Sequence, residues 1–582
     1  MKKLFRYLKP YWYIAIFSPL FMIAEVLVDL SLPKIMSTIV NDSIYADTIE
    51  QGLAVVGENG IKMMILVILG GLTGLGAAGF ASAASQSFGN DLRRDTFAHV
   101  MALSPEQTDK FTVGSLVTRM TNDVTMMQTF VASALRIFFR SPIMFVGGII
   151  MAISLNSRFA LVIAISLPIQ LIVVYAVMRR AQPLFEQMQQ RLDGVNAVVQ
   201  ENVTGARVVK AYVREDHETT RFHNANNNLF SVSIRVQNIL AVMGPVMMVV
   251  MNLAVIAVIW LGGYEVEQGV IEVGEIMAVI QYITQILHSV MMFSMMFQTI
   301  SRAQASAKRI NEVLECEPVI RDGDYTGEGE ESARGHVEFR GVSFRYPDAA
   351  DAPVLHDINL DIRPGENIAI LGATGSGKSS LVQMIPRYYD PVEGEIVLDG
   401  VPVKDYTLKA LRKKIAYVLQ KSELFSGTVA ENLRWGNENA TDEELREAAE
   451  IAQADEFIQK FNAGYDTMIA EKGASLSGGQ KQRLSIARAL LKKPDLLIFD
   501  DSMSALDLTT SAKLQKALRE KLGSLTVITI AQRVASVMNA DRIIVLDGGT
   551  IAAEGNHDTL LATSPIYRDI YESQLKRGDD FE

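Results

Sequence analysis

The chain has 582 residues, of which 49% are hydrophobic, and it carries a formal net charge of −11. This length exceeds that of one ordinary domain, and the acidic balance argues against nucleic acid as a main partner. The single cysteine, Cys316, excludes an internal disulfide.

The first 300 residues hold six apolar stretches. A membrane span needs about 20 mostly apolar residues. Five of the stretches contain long runs without Lys, Arg, Asp or Glu, and the first is interrupted only by Glu25 and Asp29. We therefore predict a membrane domain over residues 1–315, with spans at about 11–32, 61–86, 137–155, 159–178, 239–261 and 276–300.

The charges between these stretches predict how the chain is oriented. The first nine residues include four basic ones, whereas the loop over residues 33–60 is mainly acidic. The positive-inside rule therefore places both termini in the cytosol of a cell (plasma) membrane protein. The opening resembles a signal peptide but lacks a small-residue cleavage site, so we interpret it as a cytosolic elbow. The charged segments 91–140 and 179–235 then also face the cytosol, where the helices would continue beyond the bilayer.

The character of the chain changes after residue 315. Residues 316–334 are acidic and Gly-rich, which is typical of a linker. Through residues 335–575, short apolar runs alternate with helical patterns, and 576–582 form an acidic tail. The predicted fold class is an all-α membrane domain with long cytosolic extensions, followed by a cytosolic α/β domain with a largely parallel sheet.

A phosphate-binding loop opens this second domain. The stretch "LGATGSGKSS" fits the pattern G-x-x-x-x-G-K-[ST], follows the strand "NIAIL" and precedes a helical run. Glycines let backbone N–H groups close around phosphate, Lys378 supplies charge, and Ser379 can ligate magnesium. The predicted ATP-binding residues here are Gly372, Thr374, Gly375, Gly377, Lys378, Ser379 and Ser380. The sequence therefore predicts that this domain is a P-loop ATPase.

The run "DLLIFD" ends with a candidate metal-binding carboxylate, that of Asp500. This pattern predicts a buried strand that ends at Asp500 and brings its carboxylate to the carboxyl edge of the sheet, where ligands bind. Asp500 is therefore a candidate partner of Mg²⁺. The alternative is that Asp500 caps the N-terminus of a helix.

The motif "LSGGQ" is a Gly-rich turn at a predicted helix N-terminus, which is a second potential anion site. With this motif the chain resembles the ATP-binding cassette (ABC) transporter family. Six spans followed by one cassette are similar to an exporter half-transporter. In that family the signature completes the ATP site of the opposite domain. The resemblance therefore implies that four residues act on ATP held by a partner: Ser477, Gly478, Gly479 and Gln480.

Further positions match the family residue by residue. The resemblance implies that Tyr346 stacks on adenine, that Gln420 reaches Mg²⁺, and that "SALD" lies at a dimer interface. The implied cofactors are ATP and Mg²⁺, with Ser379, Gln420 and Asp500 as metal ligands. Two segments, "FTVGSLVTRMTNDV" and "GARVVKAY", resemble those that hold the exporters' coupling helices.

Two positions depart from the family pattern. Asp501 stands where the family has its catalytic glutamate, and Gln532 in "ITIAQRVASV" replaces the switch histidine. A shorter acid draws the carboxylate back, and glutamine carries no transferable proton. The pair resembles the degenerate-site subunit of bacterial heterodimeric multidrug exporters, whose partner is a second, non-identical half-transporter. The alternative is a homodimer that hydrolyses ATP slowly with Asp501.

The last span has two contrasting faces at helical spacing. The apolar stripe, predicted to face lipid, is Ile276, Ile280, Ile283, Leu287, Val290 and Phe297. The opposite stripe, a candidate lining of a substrate cavity, is Gln281, Thr284, Gln285, His288, Met292, Met295 and Thr299. Alternatively, these polar side chains pack against neighbouring helices.

The first span carries two carboxylates four residues apart, so Glu25 and Asp29 share a helix face. They could attract cationic cargo or form an extracellular gate. Alternatively, Asp29 lies near the outer interface and Glu25 pairs with a neighbouring helix. The resemblance implies export of a small amphipathic or hydrophobic compound across the membrane, with lipid or peptide left open. An alternative from a different functional class is that the protein is a nucleotide-gated channel or a regulator without transport activity.

Overall fold

The computed structural model describes residues 1, 3–44, 46–327, 334–346 and 353–579. The chain forms two compact units. One comprises Met1–Met101 with Val113–Cys316, and the other comprises Ala102–Thr112 with Glu317–Glu582.

The first unit is helical, and among its described residues six helical segments are long and apolar enough to cross a membrane, which confirms the predicted number of spans. The helix α2 has 54 residues and is therefore about 80 Å long, far more than the roughly 30 Å of a hydrocarbon core. In chain order the helices up to residue 314 are α1 (Trp12–Ile44), α2 (Ile49–Ala102), α3 (Pro105–Phe111), α4 (Val113–Thr118), α5 (Val124–Leu155), α6 (Phe159–Thr204), α7 (Ala206–Ala211), α8 (Glu215–Glu267) and α9 (Val273–Leu314).

The core of this unit contradicts one prediction about α9. Ile283 and Leu287, expected to face lipid, are 1% and 5% exposed and pack with Val26 and Leu30 of α1. The hydroxyl of Tyr282 donates a hydrogen bond to the carbonyl of Leu30 at 2.8 Å. Lipid tails are as apolar as a neighbouring helix, so the pattern alone could not distinguish these two environments.

The described residues of the second unit form three sheets. A six-stranded sheet has the order β12-β11-β3-β10-β9-β6, a four-stranded antiparallel sheet has the order β2-β1-β4-β5, and β7 pairs with β8. The strands are β1 (Val337–Phe344), β2 (Leu355–Ile362), β3 (Asn367–Leu371), β4 (Glu393–Leu398), β5 (Val401–Pro402), β6 (Ile415–Val418), β7 (Gly427–Thr428), β8 (Met468–Ile469), β9 (Leu496–Asp500), β10 (Thr526–Ile530), β11 (Arg542–Asp547) and β12 (Thr550–Gly555).

Nine helices accompany these sheets in the part of the unit that the structure describes after residue 334. They are α10 (Lys378–Gln383), α11 (Leu408–Lys414), α12 (Val429–Arg434), α13 (Asp442–Ile451), α14 (Asp455–Gln459), α15 (Gly478–Leu491), α16 (Leu508–Lys521), α17 (His557–Thr563) and α18 (Pro565–Asp579). The α/β ATPase fold predicted for this half of the chain is confirmed. Of the predicted acidic tail, residues 580–582 lie outside the described residues.

The six-stranded sheet assembles segments that are distant in the sequence. Strands β3, β10, β9 and β6 run parallel as neighbours, with Ile530 opposite both Ile370 and Asp500. Each of these strands ends just before a predicted site residue. Because parallel strands end at the same edge, the phosphate-binding loop and the residues following β6, β9 and β10 meet there.

Two segments outside the predicted ATPase domain also belong to this unit. The helix α3 lies in it, and Gln107 donates a hydrogen bond to the carbonyl of Glu317 at 2.8 Å. The first part of the segment predicted as a linker is bound as well, since Gly323 and Tyr325 donate to the carbonyls of Tyr406 and Asp405. Residues 328–333 lie outside the described residues.

Candidate functional site

The phosphate-binding loop connects β3 to α10. Gly375 and Gly377 have φ angles of 86° and 94°, a backbone region that favours glycine. A Cβ on Gly377 would come within 2.6 Å of a Leu355 methyl group, so packing also selects glycine there. Thr374 is exposed at the tip of the loop. The loop thus presents bare backbone at the start of a helix, as a phosphate cradle requires.

Lys378 is the charged group of this loop. It is 8% exposed, and its ammonium donates to the carbonyls of Gly372 and Ala373 at 2.9 and 2.7 Å. Burial lowers the pKa of Lys378 below its usual value, although the carboxylates of Asp501 and Asp500 oppose that shift. The Ser376 hydroxyl accepts from the same ammonium at 3.5 Å, so the described hydrogen-bond partners of Lys378 are neutral groups, and Lys378 breaks no ion pair with a hydrogen-bonded acid when it meets phosphate.

Asp500 ends β9 and is 4% exposed. Its Oδ1 accepts from the hydroxyl of Ser379 at 2.7 Å, and its Oδ2 accepts from the hydroxyl of Tyr417 at 2.8 Å. A carboxylate next to a hydroxyl at the phosphate-binding loop is an oxygen donor set of the kind that Mg²⁺ prefers. The residues therefore fit a magnesium ion, which would supply charge neutralisation beside the terminal phosphates.

Asp501 follows directly in a left-handed backbone conformation, with φ at 48°. Its Oδ2 accepts two amide N–H groups, from Gln420 at 3.0 Å and from Gln532 at 2.7 Å. Burial raises the pKa of Asp501, and the two hydrogen bonds oppose that shift. The predicted metal ligand Gln420 thus donates to the neighbouring acid, and Gln532 touches that acid directly.

Hydrogen bonds from α18 hold the backbone of the switch loop that carries Gln532. Gln574 of α18 donates to the carbonyl of Gln532 at 2.8 Å and accepts from the backbone N–H of Val534 at 2.9 Å. These two bonds hold the backbone on both sides of Arg533, so the carboxamide of Gln532 is aimed at Asp501.

The signature motif begins α15. Ser477 caps this helix reciprocally, since its hydroxyl accepts from the backbone N–H of Gln480 and its own N–H donates to the Gln480 side chain. Ser477 and Gly478 are exposed, and a Cβ on Gly478 would meet nothing within 4 Å. A Cβ on Gly479 would lie 3.4 Å from the carbonyl of Ala505. Packing within this chain therefore gives no reason for glycine at position 478.

Tyr346 follows β1 and is half-buried. Its ring meets those of Phe344 and Tyr389 edge-on, at centroid distances of 4.8 and 5.3 Å. Its hydroxyl lies 2.9 Å from the Ser380 hydroxyl, one residue beyond the predicted magnesium ligand Ser379. The ring is thus anchored beside the phosphate-binding loop, where it is available for stacking on a base.

The candidate substrate residues line a cavity of about 740 Å³ in the membrane unit, between α1, α5 and α9. From the polar stripe of α9, the lining includes Gln281, Thr284, Gln285, His288 and Met292. Met295 lies outside the residues whose side chains are described. This volume is within the usual range for sites that bind small molecules.

The two carboxylates of α1 meet an arginine of α5. Arg140 contacts Oε1 of Glu25 through one terminal nitrogen and Oδ2 of Asp29 through the other, the second at 3.0 Å. Asp29 also lines the cavity, whereas Glu25 does not. Arg140 is part of both the predicted span 137–155 and the predicted cytosolic segment 91–140. Its contact with Asp29, which lies 17 residues into α1 and about 26 Å along the helix axis, favours the span.

These observations define a multi-pass membrane protein with an ATPase domain. Its sequence matches the family model of the ABC transporter transmembrane region over residues 15–290 and that of the ABC transporter over residues 355–504. The chain is 40% identical to the uncharacterized ABC transporter ATP-binding protein YfiB of Bacillus subtilis over 579 residues, 99% of each chain.

Two further comparisons concern export. The putative multidrug export ATP-binding/permease protein YgaD of B. subtilis is 32% identical over 576 residues, 99% of each chain. A solved structure of a bacterial Atm1-family ABC exporter with ATP bound has a TM-score of 0.80 at 25% identity and covers 97% of this chain and 98% of that chain. The chain belongs to the ABC transporter family and is an exporter whose ATPase domain couples ATP hydrolysis to transport.

Sequence reasoning missed several residues of these sites. Tyr417 lies in β6, but nothing in the local sequence shows that its hydroxyl reaches Asp500, 83 residues away. Gln574 gives no local signal either. Arg140 could have been found, because it interrupts the apolar run "RIFFRSPIMF" and a charge there needs a partner.

Proposed function

We propose that this chain is one half of a heterodimeric exporter that moves hydrophobic or amphipathic compounds out through the plasma membrane, with both termini in the cytosol. ATP with Mg²⁺ binds at this chain's own phosphate-binding loop without fast turnover. Its signature motif completes the catalytic site on a non-identical partner.

The contact of Gln532 with Asp501 carries this proposal. Both amide donors converge on one oxygen of a short acid, at 3.0 and 2.7 Å. A general base must lie within hydrogen-bonding reach of the water that it activates. Asp501 is one methylene shorter than glutamate, and two amides already occupy its Oδ2. Gln532 donates a hydrogen bond but transfers no proton.

The signature supports the second half of the proposal. Ser477 and Gly478 are exposed, and the space around Gly478 is open. Exposed backbone at a capped helix N-terminus suits phosphate of a nucleotide from another molecule. The intact signature beside an altered acid and switch residue is the asymmetry expected of a heterodimer.

One observation favours a homodimer instead. Burial raises the pKa of Asp501, which makes its carboxylate a stronger base than an exposed aspartate. In that case Asp501 would itself activate water, slowly, at two equivalent sites.

The ATPase rates of two variants of the assembled complex separate these candidates. Ser477→Ala removes a donor aimed at developing charge and should lower the rate roughly 100-fold or more. Asp501→Asn should change the rate less than about threefold, because its carboxylate is not the catalytic base. If Asp501→Asn is as damaging as Ser477→Ala, the site is catalytic and the homodimer is correct.

The purified chain provides a control. Without a partner it should bind ATP but turn it over poorly, and Lys378→Ala should weaken binding by about 10- to 100-fold, since a charge-assisted hydrogen bond is removed. A second half-transporter should co-purify in equal amount. Brisk hydrolysis by the lone chain would contradict the degenerate site. Uptake of a dye against its gradient into inverted vesicles would exclude a channel.

A further inference from the structure

The cavity of the membrane unit carries charges of both signs. Its lining includes Arg136 and Arg140 from α5 and Asp29 from α1. Charged side chains between membrane-spanning helices are energetically costly unless they are paired or functional. The partners of each charge therefore indicate what kind of ligand the cavity accommodates.

Arg140 is already occupied. One guanidinium faces two carboxylates, those of Glu25 and Asp29. Glu25 and Asp29 are 16% and 29% exposed in their side chains, so solvent compensates them only in part. This group of three residues, called the acidic triad below, has one positive and two negative charges. Of its two carboxyl groups, that of Asp29 lines the cavity and that of Glu25 does not.

Arg136 is the complementary charge. It lies one turn before Arg140 on the same face of α5, lines the cavity and is exposed. Among the described residues, no hydrogen bond or ion pair joins Arg136 to another side chain. The cavity therefore presents an unpaired positive group close to an acidic triad that has excess negative charge.

Arg136 and Arg140, the arginine that contacts Asp29, are four residues apart on α5, which corresponds to a rise of about 6 Å along the helix axis. That separation is comparable to the distance between the phosphate and the ammonium of a phosphocholine head. A purely cationic ligand would leave Arg136 unpaired, and a purely anionic one would leave the excess charge of the triad unpaired. Either outcome lowers affinity.

The rest of the lining suits the remainder of such a molecule. Met22, Leu32, Met144 and Met292 offer apolar, adaptable surface for a hydrocarbon tail. Gln281 and His288 offer hydrogen-bonding groups on the same wall as Met292.

We propose that this cavity binds an amphiphile with a zwitterionic head, the anionic group at Arg136 and the cationic group at Asp29. This inference deepens the proposed export function and rests on it for the role of the cavity as a cargo site. It also replaces the expectation that Glu25 and Asp29 attract cationic cargo.

The test compares three probes that share a dodecyl tail and differ in the head: phosphocholine, phosphate and trimethylammonium. Binding to the full chain with its co-purifying partner is measured directly in a nonionic detergent, without ATP. We expect dodecylphosphocholine to bind about tenfold or more tightly than either singly charged probe. Compared with the trimethylammonium probe it gains a charge-assisted hydrogen bond from Arg136 to its phosphate, and compared with the phosphate probe it gains an ion pair between its trimethylammonium group and Asp29.

Two variants should shift this preference in opposite directions. Arg136→Gln should weaken the phosphocholine and phosphate probes by about tenfold and leave the trimethylammonium probe equal or stronger. Asp29→Asn should weaken the phosphocholine and trimethylammonium probes and spare the phosphate probe. Arg180→Gln is the matched control, because Arg180 is an exposed arginine of α6 outside this cavity lining, and it should change none of the three.

Arg136→Gln keeps the test decisive even if Asp29→Asn fails to fold, because Arg136 has no described partner to lose. Equal binding of all three probes, or an Arg136→Gln effect of equal size on each, would overturn the proposal. If the wild-type protein bound one singly charged probe most tightly, the proposal would be wrong and the cavity would prefer a ligand of that charge. Binding is measured without ATP and transport is measured in vesicles. A zwitterion preference without transport would therefore refute the export function alone.

Discussion

The two acids of the nucleotide site and four acids of the membrane unit have different kinds of partner. In the ATPase unit, Asp500 accepts from Ser379 and Tyr417, while Asp501 accepts from two glutamines. All four partners are neutral donors. In the membrane unit, by contrast, the carboxylates of Glu25, Asp29, Asp123 and Glu265 each meet an arginine.

The difference reflects what each site has to accept. A site for Mg²⁺ and triphosphate needs carboxylates that keep their charge available, and hydroxyl and amide donors orient them without neutralising them. A carboxylate between helices in a membrane has no such incoming cation, and a permanent guanidinium compensates it. Arg136 differs from these arginines, because it lies on the cavity wall and makes no ion pair with an acid among the residues that the structure describes.

The largest effect is expected when an arginine of the membrane unit is removed. Arg140→Gln leaves Glu25 and Asp29 facing each other without a counterion. Removing one partner of a largely buried pair costs about 3 kcal/mol or more. Thermal unfolding of the full chain in detergent should show a clearly lower midpoint and a lower yield. Glu25→Gln in the same background should restore part of the loss. An unchanged midpoint would mean that the triad is solvated and that the comparison between the units fails.

The next effect concerns the base-binding side of the ATPase unit. Tyr346→Ala should weaken nucleotide binding by about 1–3 kcal/mol, the usual value of base–aromatic stacking. Tyr346→Phe keeps the ring and loses only the contact with the Ser380 hydroxyl, so its nucleotide affinity should stay within a few-fold of wild type. Titration of the purified chain with a fluorescent ATP analogue measures both. If Tyr346→Ala left nucleotide affinity unchanged, Tyr346 would be shown to pack within the domain without stacking on the base.

A smaller effect tests whether neutral donors orient the metal-binding acid. Tyr417→Phe removes the hydroxyl that donates to Oδ2 of Asp500 at 2.8 Å. Losing one hydrogen bond of this kind costs about 1 kcal/mol, so the Mg²⁺ concentration needed for half-maximal ATP binding should rise about fivefold. Tyr388→Phe is the control, since Tyr388 packs 5.7 Å from the Tyr417 ring and makes no described hydrogen bond to Asp500. Equal responses of the two variants would assign Tyr417 to packing.

The smallest effect is a pH dependence at Asp501. Burial raises the pKa of this acid in the folded chain, so its ionised form opposes folding above the pKa of the unfolded chain. Asp501→Asn should therefore raise the unfolding midpoint at pH 7 by about 1–2 °C, because the amide oxygen still accepts from both glutamines. This gain should vanish below about pH 4, where the wild-type acid is protonated in both states.

Asp507 offers the opposite control. Hydrogen bonds from Thr510 lower the pKa of Asp507, so its ionised form supports folding at neutral pH. Asp507→Asn should lower the midpoint slightly at pH 7 and converge with wild type in acid. If Asp507→Asn raised the unfolding midpoint at pH 7, or Asp501→Asn lowered it, the stated pKa shifts of these two acids would not explain the pH dependence of stability.

The sequence by itself determined the features that are built from consecutive residues. The phosphate-binding loop could be predicted because its cradle is the backbone of one short segment, from Gly372 to Ser379. The six spans could be predicted because crossing hydrocarbon imposes composition over about 20 residues. The altered pair Asp501 and Gln532 was visible because each lies in a recognisable local motif.

Only the tertiary structure decided which residues meet. Gln532 reaches Asp501 because β10 lies between β3 and β9 in the sheet, an order that no local pattern encodes. Arg140 meets Glu25 and Asp29 across 115 and 111 residues, through helix packing. The apolar face of α9 could not be assigned, because lipid and a packed helix are equally apolar. Motifs made of consecutive residues can therefore be predicted from the sequence. Contacts between residues that are distant in the sequence depend on the order of strands and the packing of helices, which only the folded chain shows.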